Sequence, residues 1–175
     1  TMLRYGDAEL AALIFHELAH QQAYVPGDSD FNEAFATVVE NEGARRWLTH
    51  LGRDDELTAF NASSLHEKRV SELMVGTRDR LATIYASGEP TEQMRSAKSA
   101  ELARLRDSLT ALGLISAGDL NNARLAAVAT YHRCVPALTS LLAQHGGNLP
   151  AYYAAIRALA HDSAARSALC PSDRG

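Results

Sequence analysis

The stretch His16-Glu17-Leu18-Ala19-His20 sets two imidazoles four residues apart with a carboxylate between them. On a helix both rings leave one face a turn apart and can grip a single ion. Glu17 is not needed as a ligand at that spacing. It stands beside the ion, where it can take a proton from a water activated there. Zinc with two nitrogen ligands wants one more protein ligand if it is to keep an open position for water. The pattern points to metal-assisted hydrolysis with one zinc ion as cofactor and a third ligand to be found.

Glu33, in Asn32-Glu33-Ala34-Phe35-Ala36, is the candidate for that ligand. A short turn after the histidine helix folds it back toward the rings. Glu40 returns to nearly the same helical face seven residues on, with the small Ala36 between, and suits a group that orients a histidine through its free nitrogen. Two carboxylates aimed into an otherwise apolar helix pair are costly without a cation. Taken alone, Asp30-x-x-Glu33 also fits a capping box that merely satisfies a helix start, and either histidine alone fits a core position bonded to backbone. The combination of spacing, helix and apolar context favours the metal.

The elements that must hold these residues are helical. Leu10 to Phe15, Leu18 and Ala19 predict a first helix that is apolar on most of its circumference and buried, capped by Asp7, running to about Ala23 and ended by Pro26 and Gly27. A second helix starts after Ser29 or Asp30 and runs to about Gly52, with Phe31, Phe35 and Val38 on one side. Helices from Glu56 to Tyr85 and from Met94 to about Leu112, joined through Ser87-Gly88-Glu89-Pro90-Thr91-Glu92, form an antiparallel arm. Arg95, Lys98, Glu101, Arg104, Arg106 and Asp107 around the arm's apolar stripe are expected to be a solvated face. Asp119 then caps a helix through Tyr131 and His132, Pro136 starts another, and two or three short helices follow to about Leu169. With no strict alternation and no hairpin dipeptide, the fold class is all-α.

At 175 residues, with 46% hydrophobic and 22% charged residues, the chain suits one soluble domain: a metal-site hairpin (1–55), an arm (56–113) and C-terminal helices (114–175). A formal net charge of -4 offers no basic footprint for nucleic acid or an anionic membrane, and no apolar run is long enough to span a bilayer. Cys134 and Cys170 read as ordinary thiols, with a single bridge left open. The chain opens on Thr1 without the pattern of a signal peptide and is expected to be a product that has lost an upstream part.

His16 to Gln21 followed by Asn32 to Glu40 resembles the gluzincin metallopeptidases, whose third ligand is the glutamate of an N-E-x-x-A motif. It is most similar to a bacterial family of zinc-dependent aminopeptidases, a similarity that extends over residues 31–48 and 121–138. The resemblance implies His16, His20 and Glu33 as zinc ligands, Glu17 as catalytic base and Glu40 behind a ligand. It also implies a bacterial cell-envelope or periplasmic setting and a peptide substrate laid along the edge of a sheet that precedes the histidine helix. This sequence contains no such sheet, so its own missing N-terminal segment is a candidate partner. The connection from His20 to Glu33 is shorter than in the better-known gluzincin peptidases. A donor for the oxyanion is sought in Tyr131 and His132, with Asn121 on the same helical face as His132. The aminopeptidase activity follows from the resemblance alone. Two rivals are a metal-stabilised structural or interaction protein without turnover, and a helical adaptor that uses the arm as a partner surface.

Overall fold

The computed structural model describes residues 6–114, 125 and 134–170. Helices α1 (Asp7–Gln22), α2 (Ser29–His50), α3 (Asp54–Ala86), α4 (Thr91–Ala111), α5 (Val135–Gln144), α6 (Leu149–His161) and α7 (Ser163–Leu169) follow one another, and no strand occurs among the described residues. The all-α expectation is met. No helix among them is long and apolar enough to cross a membrane. The chain divides into two compact units, one of residues 1–63 with 131–175, the other of 64–130.

In the first unit, α1 begins one residue earlier than its expected cap allows: Gly6 is the cap, Asp7 is already helical, and the Glu9 carboxylate accepts from the Gly6 N–H at 3.2 Å. Ala12 and Ala19 are its buried residues, while Leu10, Ile14 and Leu18 are 37%, 49% and 47% exposed. The expectation of a buried helix is therefore corrected. The apolar circumference of α1 is wider than the stripe that packing along α2 can cover. The two helices approach closely because α2 carries Gly43 at the crossing, where a Cβ would lie 2.6 Å from Phe15 Cγ.

α2 is the centre of this unit. Phe31, Phe35, Val38 and Val39 are buried in one cluster with Leu138 and Leu142 of α5 and Tyr152 and Ile156 of α6. Pro136 and Pro150 stand in the first turns of α5 and α6, where the missing N–H costs nothing. Cys134 and Cys170 are joined in a disulfide across a separation of 36 residues, which replaces the expectation of free thiols. No CxxC or framework spacing marks such a bridge in the sequence; it forms because the turns of α5 to α7 bring the two Cα atoms to 5.0 Å. Closing a loop of that size contributes about 3–4 kcal/mol by restricting the unfolded chain.

In the second unit, Met74 and Leu81 of α3 pack with Leu105 and Leu109 of α4 and with Leu125. Glu101 departs from the expected solvated face. It is 6% exposed, accepts from Arg80 Nε at 2.8 Å, and also pairs with Arg104. The hydrogen bond from Arg80, then the nearby charge of Arg104, holds its carboxyl below the usual glutamate range.

Candidate metal centre

α1 and α2 bring His16, His20 and Glu33 to one place. Among the described residues they form the one group of histidine, cysteine or acidic side chains able to hold an ion, with a ligand atom from each lying within 4.8 Å of the others. His16 Nε2 is 3.3 Å from Glu33 Oε2, and His20 Nε2 is 3.8 Å from Glu33 Oε1. Two ligand atoms of one tetrahedral zinc ion, each about 2.0–2.1 Å from the metal, stand about 3.3 Å apart. His16 and Glu33 already meet that spacing, while His20 stands wider, 3.8 Å from the other oxygen of the carboxylate, and would have to close toward an ion.

The ring of His16 is fixed from behind. Its Nδ1–H donates to Glu40 Oε2 at 2.9 Å, so the lone pair of Nε2 faces Glu33 and the place an ion would take. The same hydrogen bond, against the desolvation of partial burial and with help from Glu33 and Glu17, raises the His16 pKa. Three carboxylates thus act on one imidazole, and among the described residues no lysine or arginine pairs with Glu33 or Glu40. Such a field favours a cation. His20 is held less completely: its Nδ1 is buried and has no hydrogen-bond partner among the described residues. Its ring is edge-on to His16 at 5.1 Å and to the exposed Tyr24 at 6.4 Å.

The α1–α2 connection explains how Glu33 reaches the histidines. Gly27, at φ +80°, allows the turn, and the buried Asn32 then clamps it. Asn32 Oδ1 accepts from the Val25 N–H at 2.8 Å while its Nδ2 donates to the Val25 carbonyl at 2.8 Å. This closed pair of bonds fixes the residue next to Glu33. Helical spacing does not single out Asn32; the signal for it in the sequence is a polar amide immediately before a candidate ligand and flanked by Phe31 and Ala34. The capping-box alternative for Glu33 does not hold. The cap of α2 is Asp28, whose Oδ1 accepts from the Phe31 N–H at 3.3 Å, so Glu33 lies beyond the first turn and faces the rings.

Glu17 is exposed on α1 and close enough to act on the charge of His16. Asn121, Tyr131 and His132 lie outside the described residues, as does the expected cap Asp119.

A family model described as "Putative aminopeptidase" matches residues 1–169. No curated protein and no solved structure matches the chain.

Proposed function

We propose that this chain, which belongs to the "Putative aminopeptidase" family, is a zinc-dependent peptidase of the gluzincin type, bacterial in origin, with His16, His20 and Glu33 as the metal ligands. The observation that carries this reading is the meeting of both Nε2 atoms on the Glu33 carboxylate while Glu40 holds His16 by its other nitrogen. Two imidazoles and one carboxylate are a donor set that suits zinc with a position left for water.

When bound, zinc supplies Lewis acidity, acidifying a water and polarising the scissile carbonyl. The chain's own residues do the rest. Glu40 keeps His16 in the tautomer that presents Nε2. Glu17 takes the proton of the attacking water and delivers it to the leaving amine, a task for which an exposed carboxylate next to the ligands is suited. Tyr131 or His132 is assigned the donor that stabilises the oxyanion, with Asn121 shaping the cleft beside it. The substrate is a peptide, cleaved from its amino end.

Glu17→Gln tests the reading. Metal content by elemental analysis is expected to stay at one zinc per chain while hydrolysis of aminoacyl and peptide substrates falls about 10²–10⁴-fold. Retained hydrolysis in the variant would remove Glu17 from the mechanism. A wild type that holds zinc but hydrolyses none of these substrates would favour a metal-stabilised protein without turnover.

A further inference from the structure

The last helix reaches back to the start of the ligand-bearing one. Arg166, on α7, is only 13% exposed and donates from Nε to Asp28 Oδ2 at 2.7 Å, across 138 positions of sequence. Its Nη1 donates to the carbonyls of Leu159 and Ala160 at 2.9 and 3.2 Å, at the end of α6. Its guanidinium lies 5.7 Å from the centre of the Phe31 ring, which is buried. One planar cation therefore joins the end of α6 to the first turn of α2. A lysine could not make this fork, because an ammonium has neither the plane nor the spread of donors.

We propose that Arg166 is a positioning residue for the metal centre: by holding Asp28 and Phe31 it fixes the first turn of α2, and with it the reach of Glu33 toward His16 and His20. The inference rests on the ligand set proposed above. Asp28 divides its two oxygens between the Phe31 N–H and Arg166, so the cap of α2 and the tertiary contact are one device. Glu33 stands five residues beyond that cap on the same rigid helix, and a tilt of the first turn carries its carboxylate with it. Little slack is available, since Glu33 Oε1 is already 3.8 Å from His20 Nε2. α7 gives the arginine a firm base. Asp162 caps its start, accepting from the Ala165 N–H at 2.9 Å, and the bridged Cys170 donates its N–H to the Arg166 carbonyl at 2.8 Å.

An ordinary tertiary ion pair would change stability and leave the ligand geometry alone, so the test separates the two. Zinc affinity is measured by chelator competition, well below the melting temperature of each variant, for the full chain, R166Q, R166K and I156V. Ile156 is buried in the same core cluster as Phe31 and has no polar side-chain atom to bond Asp28, so its loss of a methylene serves as the stability control. Amide exchange of residues 29–33 is followed in the metal-free proteins. R166Q is expected to weaken zinc about tenfold or more and to speed exchange at those amides. R166K is expected to recover only part of the affinity, and I156V to bind as the wild type does. If R166Q does not fold, D28N carries the test, because asparagine still caps the helix while the charge on Arg166 goes unanswered; a several-fold loss is expected. Wild-type zinc binding that R166Q, or D28N in its place, leaves intact overturns the inference alone, as does an equal loss in I156V. A wild type that holds no zinc overturns the ligand set and this inference with it.

Discussion

Two helix pairs in this protein turn carboxylates toward a neighbouring helix, and they partner them in opposite ways. In the arm, Glu101 of α4 is met by Arg80 and Arg104, so the chain supplies its own cations. In the hairpin, Glu33 and Glu40 of α2 are met by histidines and, among the described residues, by no lysine or arginine. A carboxylate that the chain neutralises itself is part of the scaffold. Carboxylates arranged around imidazoles, with a net negative field left over, await a cation from outside. Residue type alone does not distinguish the two cases; the partner does.

The comparison is broken most directly by exchanging the fate of the two glutamates. Glu33→Gln is expected to abolish tight zinc binding and with it all hydrolysis, while Glu101→Gln keeps one zinc per chain and lowers only the melting temperature. Elemental analysis and thermal scans of both variants decide it, and zinc retained by Glu33→Gln would return that residue to the scaffold. A smaller effect is expected from Gly43→Ala. Its new methyl would meet the Phe15 ring at its base, forcing α1 and α2 apart at a cost of about 1–3 kcal/mol in chemical denaturation, with zinc weakened because both helices carry proposed ligands. A stable variant with unchanged affinity would mean that the close crossing is not what sets the site.

The smallest expected effect is on pH dependence, and it belongs to the arm. The Glu101 pKa is depressed in the folded state, so its contribution is fully present above the unfolded value of about 4.3 and is lost as pH falls through the lower folded value. Acid titration of stability is expected to be shallower in Glu101→Gln over that window. An unchanged slope would show that other carboxylates dominate acid unfolding. One is Glu42: burial works to raise its carboxyl, and hydrogen bonds from Arg45 and Arg46 more than offset that.

Much of this was legible in the order of residues. Helix spacing placed His16 and His20 on one face of α1, and the punctuation by Pro26 and Gly27 announced the turn that returns Glu33. The arm's ends were legible for the same reason, from Gly88, Pro90 and Gly113. The burial of Glu101 is not legible there, because a charged residue beside an apolar stripe looks alike whether a neighbouring helix covers it or water does. Nor is the exposure of Leu10, Ile14 and Leu18, since periodicity reports which residues are apolar and not how wide a face the neighbours can cover.

The sequence by itself determined the helical class, the pairing of the histidines and the candidacy of Glu33, because these depend on spacings of three to seven residues and on local turn chemistry. Tertiary structure decided what supports them: Asn32 folded onto Val25, His16 as the ring that Glu40 holds, Arg166 on Asp28, and Cys134 joined to Cys170. The last two depend on the packing of helices that are not neighbours in sequence, the hold on His16 on how the consecutive helices α1 and α2 pack, and the clamp at Asn32 on how their connection closes. Helical periodicity fixes which way a side chain points along its own helix; only packing fixes what it meets there.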